Sequence, residues 1–340
     1  MRYSTTIISA DPVSPPLDAV EDELADDATD CERRVFQVTA ALHGERLDRA
    51  LAAGVPEFSR SYLQQLIEAG FVQVQAAVVT KASAKVRVGE QLQIELRPTP
   101  QSQAFRPEPL EIDVVYEDAH LLVLHKPAGL VVHPAPGNWS GTLLNGLLAR
   151  DAAFAALPRA GIVHRLDKDT SGLMVVARTR GAMDALVRAI AARDVSREYL
   201  ALAHRPWKGA ADREIEVGIG RDPRNRLRMA VVDLERHPGK TAHTSLHLLA
   251  NAEDGCWVRC TLHTGRTHQI RVHMASIGHS LVGDGTYGGA PAAGLERQAL
   301  HAFRLAFDHP VTHEPLAFEA PPPADILQAL DAWGLHYNPA

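Results

Sequence analysis

Four prolines stand among polar residues in the run R-P-T-P-Q-S-Q-A-F-R-P-E-P-L, residues 97–110. Proline fixes φ and offers no backbone N–H, so such a run reads as a stiff, extended connection and not as part of a packed element. A domain boundary is therefore expected at 98–110. A length of 340 residues independently favours two domains.

Hydrophobic residues make up 46% of the chain and charged ones 22%, and no run approaches the ~20 apolar residues of a membrane span. Three cysteines argue against a disulfide scaffold and for a reducing compartment. Met1 to Ala10 is too short and polar for a secretory signal. A cytoplasmic protein without membrane partners is expected. The net charge of −6 is unevenly spread: residues 1–32 hold nine acids and one base, which leaves +2 for the other 308 residues. Residues 1–33 read as a disordered acidic tail. Arginine outnumbers lysine 29 to 6, supplying planar donors that suit phosphate or carboxylate. That balance is compatible with nucleic acid without being diagnostic of it.

Residues 34–97 read as a small α/β module. Leu47, Ala50 and Leu51 recur at helical spacing, and Gly54 with Pro56 ends that helix. Ser59 is placed to cap a second helix bearing Leu63, Leu66 and Ile67 on one face, with Gly70 just past its end. Strand-like runs follow at Phe71–Val74, Val78–Val79 and Gln91–Leu96. Arg46, Arg49, Arg60, Lys81, Lys85 and Arg87 fall mostly off the apolar faces and can form one basic surface. The runs R-L-D-R-A-L (46–51), S-R-S-Y-L-Q-Q-L-I-E-A-G-F-V (59–72) and V-T-K-A-S-A-K-V-R-V-G-E (79–90) resemble an S4 RNA-binding domain. By that resemblance Arg46, Arg49, Arg60, Lys81 and Lys85 are RNA-binding candidates. One departure stands out: Gln75-Ala76-Ala77 occupies the turn where the family usually has an Asn-Gly type, and neither alanine suits positive φ.

Residues 111–335 form a larger domain. Strand-like runs at Ile112–Tyr116, Leu121–Leu124, Leu130–Val132, Leu173–Ala177, Tyr199–Ala203 and Val258–His263 alternate irregularly with helical stretches near 142–149, 181–193 and 323–333. Such irregular connections favour an α+β fold with a mixed or antiparallel sheet.

Two segments are loaded with chemistry. In G-I-V-H-R-L-D-K-D-T-S-G (161–172) a polar loop feeds a strand, a common place for catalytic groups. Asp167 lies between Arg165 and Lys168 and should stay ionised, able to act as nucleophile or base. Residue chemistry alone does not choose between Asp167 and Asp169. In L-H-T-G-R-T-H-Q-I-R-V-H-M (262–274) Gly265 breaks a strand, Thr267 is a candidate helix cap, and Arg266 and Arg271 lie near the helix's first turns, suited to an anion. His263, His268 and His273 recur every five residues, which no single face honours. On a strand Cys256 and Cys260 would sit about 13 Å apart. Neither set has a zinc-ligand spacing, phosphate-binding glycine loops are absent, and no metal site is expected.

Taken together, H-R-L-D-K-D-T-S-G (164–172), R-E-Y (197–199) and T-G-R-T-H-Q-I-R-V-H (264–273), in that order, resemble the RluA family of RNA pseudouridine synthases. L-L-V-L-H-K-P-A-G-L-V-V-H-P (121–134), G-N-W-S-G-T-L-L-N (137–145) and H-S-L-V-G-D-G-T-Y-G-G (279–289) extend the likeness, which is strongest to members acting on large-subunit ribosomal RNA. The resemblance implies an isomerase that converts specific uridines of 23S rRNA to pseudouridine without a cofactor. Asp167 would be the catalytic aspartate, Tyr199 the ring that stacks on the target base, and Arg271 the cation paired with Asp167. Arg165 would help displace the flipped nucleotide, and Arg266 would meet backbone phosphate. Expected partners are large-subunit rRNA or a pre-ribosomal particle; the sequence leaves the oligomeric state open, with a monomer favoured. Three alternatives remain: the same chemistry on other rRNA or tRNA uridines, a non-catalytic RNA-binding assembly factor, and a magnesium-dependent nuclease using Asp167 and Asp169.

Overall fold

Helical spacing of apolar residues on either side of Gly54 and Pro56 yields two short helices, α1 (Leu47–Gly54) and α2 (Arg60–Glu68). Ser59 caps α2, its side chain accepting the Tyr62 N–H at 3.2 Å; losing such a cap typically costs about 1 kcal/mol. Both helices bury their apolar faces with Val72, Leu92 and Ile94 in one cluster. The accompanying strands are β1 (Glu32–Gln37), β2 (Val72–Val74), β3 (Ala77–Val78) and β4 (Gln91–Leu96), antiparallel in the order β1-β4-β2-β3. The β2–β3 turn forms despite its sequence, with Gln75 at φ 50° and Ala76 at φ 63°. A tight hairpin of right-handed strands demands that backbone, and here non-glycine residues adopt it.

The computed structural model describes residues 32–97, 104–135, 137–226 and 228–338. The acidic tail before Glu32 and linker residues 98–103 lie outside the described residues. Two units divide between Thr99 and Pro100.

In the second unit, long apolar runs form a ten-stranded sheet. Its strands are β5 (Asp113–Glu117), β6 (Leu121–Lys126), β7 (Ser171–Ala177), β8 (Ser196–His204), β9 (Asp212–Arg221), β10 (Met229–Val232), β11 (Gly239–Asn251), β12 (Gly255–Leu262), β13 (Leu300–Asp308) and β14 (Pro315–Glu319). Their order is β10-β9-β11-β12-β8-β13-β7-β6-β5, with β14 on β13. All pairs are antiparallel except β13 with β7, so the sheet is mixed and the fold α+β, as the irregular connections imply. Helices α3 (Leu143–Arg150), α4 (Arg180–Ala192), α5 (Gln269–Ser276) and α6 (Ala324–Ala332) complete it.

Leu130–Val132 is not a strand. The carbonyls of Val131 and Val132 accept the N–H groups of Leu143 and Leu144, so this segment is spent on the first turn of α3. α3 is also tied to the incoming chain: Asn145 donates to the carbonyls of Ala104 (3.1 Å) and Arg106 (2.8 Å). Several strands, notably β9, β11 and β13, lie outside the runs expected from sequence. Among the described residues no helix is long and apolar enough to cross a membrane.

Candidate active site

The parallel pairing of β7 and β13 sets the site. Gly172, at φ +121°, lies against Ala302 so closely that a Cβ there would sit 2.2 Å from the Ala302 carbonyl oxygen. Only glycine permits this approach, which holds the end of loop 164–170 against β13. Next to it, buried His301 donates from Nε2 to the Ala320 carbonyl at 3.0 Å, which leaves Nδ1 to accept the Ser171 hydroxyl at 2.9 Å.

Lys126, at the end of β6, fastens the same loop. Fully buried, its ammonium donates to the carbonyls of Pro127 (2.7 Å), Leu130 (2.9 Å) and Lys168 (2.9 Å). Burial lowers its pKa to about 7, and the carboxylates of Asp169 and Asp167 work against that fall. His164 accepts the Val175 N–H at its Nε2, 3.0 Å away, and burial, with a smaller push from Arg197, holds it neutral with a pKa of about 3.

Asp167 is then met from α5. Its Oδ2 accepts from Arg271 Nη1 at 3.0 Å, and its Oδ1 lies 3.8 Å from His268 Nε2. Arg271 is itself held from behind by Asp284, which accepts from Nε at 2.7 Å and from Nη2 at 2.9 Å. The Tyr287 ring lies 5.0 Å from the guanidinium, and its hydroxyl is 2.8 Å from His268 Nδ1. Burial opposes the charge on Arg271, but the two carboxylates win and raise its pKa above the ordinary arginine value. The cap expected from Thr267 is replaced: His268 enters α5 with φ 56°, and the buried Gln269 side chain ties the loop together. Gln269 accepts from the Arg266 N–H (3.0 Å) and the Thr264 hydroxyl (2.7 Å) and donates to the His243 carbonyl (2.9 Å).

Asp167, Tyr199, Arg165, Arg266 and Arg271 all line one cavity of about 110 Å³, closed on its apolar side by Leu166, Leu262, Ile270 and Leu300. Burial raises the Tyr199 hydroxyl pKa to about 12, so it is a neutral phenol at neutral pH. The cavity opens to one side on a groove of about 1,110 Å³ that includes Asp169 and Arg297, and to the other on a basic groove with Arg159, Arg193 and Arg197. The structure therefore separates the two aspartates that residue chemistry left level. Asp167 lines both the small cavity, with Tyr199, and the larger groove; Asp169 lines the larger groove alone, its carbonyl held by Arg297 at 2.9 Å.

In the first unit, Arg46 and Arg60 converge on Asp48, which is fully buried and also accepts from Gln64 at 2.6 Å. Burial alone would raise the Asp48 pKa, and the hydrogen bonds from Arg46, Gln64 and Arg60 drive it well below the usual carboxylate range. An isolated bridge sets Lys85 beside Arg46. Arg49 is turned to Glu45 at 3.2 Å, while Lys81 and Lys85 are exposed and form no ion pair among the described residues. Cys256 and Cys260 are buried in β12, and burial raises the Cys256 thiol pKa to about 12.

Sequence reading missed Asp284, Lys126, Gln269 and Arg197. Asp284 had a visible signal, a single acid between Gly283 and Gly285, and Lys126 another, a lysine closing an apolar strand. Their partners are remote in sequence, so neither role was readable there.

Residues 120–276 match the family model described as RNA pseudouridylate synthase, and residues 45–92 match that of the S4 domain. Ribosomal large subunit pseudouridine synthase D of Neisseria meningitidis serogroup A is 47% identical over 89% of this chain and 83% of its own length. The Xylella fastidiosa protein of that name is 45% identical over 85% of this chain and 89% of its own. Among solved structures, human RNA Pseudouridylate Synthase Domain Containing 4 shares the fold, with a TM-score of 0.52 at 22% identity, covering 66% of this chain and 94% of that one.

Proposed function

The chain belongs to the RNA pseudouridylate synthase family, and on that premise we propose that it isomerises uridines of large-subunit ribosomal RNA, with Asp167 as the catalytic carboxylate. Residues 34–97 would grip RNA, residues 111–335 would carry the chemistry, and the work would be done in the cytoplasm on rRNA or an assembling particle. The observation that carries the reading is the Asp167 carboxylate, held at 3.0 Å by Arg271 in a cavity that also presents Tyr199.

A target uridine inside a stem must leave its stack, at a cost of a few kcal/mol. Arg165, exposed and lining the cavity, would fill the gap, and Tyr199 would stack on the extruded base. Asp167 opens the reaction at the sugar, by attack on C1′ or by removal of the C2′ proton. By either route the C1′–N1 bond breaks and its electron pair leaves on the uracil. The base turns and C5 bonds to C1′, displacing Asp167 on the first route or with return of the C2′ proton on the second; the C5 proton is then lost to solvent and N1 takes one up, so the product is an isomer of the substrate. Arg271 sets a counter-charge 3.0 Å from the Asp167 carboxylate in a site that a bound base dries.

Pseudouridine mapping of unmodified large-subunit rRNA after incubation with the pure chain tests this. New pseudouridines should appear with wild type and vanish with Asp167→Asn while RNA affinity is retained, and Tyr199→Phe, which keeps the stacking ring, should be milder. No new pseudouridine on rRNA or on precursor particles refutes the assignment.

A further inference from the structure

Arg197 lies on β8 two residues before Tyr199, so both side chains leave the same face of the strand, and both line the small cavity. It is 6% exposed, and its side chain makes no hydrogen bond or ion pair among the described residues; its Nε is sealed from solvent without a partner. The other arginines of the cavity differ. Arg271 is neutralised by Asp284 and Asp167, Arg266 donates from Nε to the Thr241 carbonyl at 3.0 Å, and Arg165 is exposed. Arg197 is thus the buried cation of this cavity that lacks a counter-charge. Burying a charge without a partner is unfavourable, and replacing it by an apolar side chain of similar volume is often neutral or stabilising. Its retention makes sense for a negative charge that arrives during the reaction.

We propose that Arg197 is the electrostatic acceptor for the uracil anion released when the glycosidic bond breaks, an inference that rests on the function proposed above. In the bound substrate the base is neutral. When C1′–N1 breaks, the bonding pair stays with the base, and the charge spreads over N1 and the carbonyl oxygens. Arg197 therefore gains its counter-charge only as that bond breaks, and an interaction realised only in the transition state accelerates the step. The geometry of the ring extends the argument. A half-turn about the N3–C6 axis exchanges N1 with C5 and the C2 carbonyl with the C4 carbonyl. A donor set against one carbonyl before the turn meets the other after it, so one fixed guanidinium holds the free base through its rotation.

The full-length chain and its Arg197→Met and Arg197→Lys variants decide the matter on an rRNA transcript carrying uridine or 5-fluorouridine at the target. Single-turnover consumption of the target nucleotide, RNA affinity with its salt dependence, and the melting temperature are read together. Arg197→Met should keep its Kd within about threefold and melt no lower than wild type, while losing on the order of 100-fold in rate, as when an oxyanion donor is removed. The loss should shrink several-fold on 5-fluorouridine, because fluorine stabilises the departing anion, and Arg197→Lys should recover part of the rate. A weakened Kd with a salt slope reduced by about one and an equal defect on both substrates makes Arg197 a phosphate contact and overturns the proposal. A lower melting temperature with rate and binding lost together makes it structural, with the same consequence. An unchanged rate in Arg197→Met beside an active wild type overturns this proposal alone; an inactive wild type overturns the functional reading and this inference with it.

Discussion

Replacing Asp284 by asparagine removes one charge from the site with almost no change in shape. The surrounding turn uses the Asp284 backbone, which accepts from the Tyr287 and Gly289 N–H groups, so it should persist in the variant. What changes is the side of Arg271 facing away from Asp167. Two charge-assisted hydrogen bonds, 2.7 and 2.9 Å long, are lost or inverted around side chains 1% and 7% exposed. Breaking a buried ion pair from one side costs about 3–5 kcal/mol, because the surviving charge stays buried. Arg271 keeps Asp167 at 3.0 Å and the Tyr287 ring at 5.0 Å, which places the loss near the bottom of that range. At roughly 2–4 °C per kcal/mol for a unit of this size, Asp284→Asn should melt roughly 6–12 °C lower. Scanning calorimetry measures the shift. The double variant Arg271→Met, Asp284→Leu should lose less than the sum of Arg271→Met and Asp284→Leu, because each single change strands the charge that the other would remove. A single-variant shift under about 2 °C, or a double variant worse than the sum of its parts, refutes the account of Asp284 as the support of Arg271.

Gly172→Ala should destabilise the chain by about 3 kcal/mol or more, since it adds a Cβ at positive φ; that atom would lie 2.2 Å from the Ala302 carbonyl oxygen. Urea denaturation measures it, and wild-type stability would falsify the close approach of β7 to β13. His273 and His301 are fully buried, and burial lowers both pKa values to about 4. Unfolded histidine binds its proton below about pH 6.5. The stability these two supply is therefore complete above that pH and lost as pH falls through the window toward 4. At about 1.4 kcal/mol per pH unit each, the pair removes roughly 4 kcal/mol between pH 6.5 and 5. Denaturation curves across that range test the claim, and equal stability at pH 7 and pH 5 contradicts neutral burial.

Much of this protein is local and was legible without coordinates. The helices α1 and α2 follow from apolar spacing and from Ser59, the α+β class from irregular alternation, and the loop bearing Asp167 from a polar run abutting Leu173–Ala177. These features depend on residues a few positions apart, where periodicity and capping act. Where sequence reading failed, the determining partner was distant. Leu130–Val132 has strand composition, but the N–H groups of α3 claim its carbonyls, and β11 is a strand largely because β9 and β12 flank it. The residues gathered around Asp167 follow the same rule. Arg271 and Asp284 lie 104 and 117 positions away, and their pairing exists only because α5 and the following turn pack beside loop 164–170. Sequence alone set the residue types at the site and the order in which they occur. Tertiary structure decided which carboxylate shares a cavity with Tyr199 and which arginine is left without a counter-charge, because burial and electrostatic pairing depend on distances in space that no local pattern encodes.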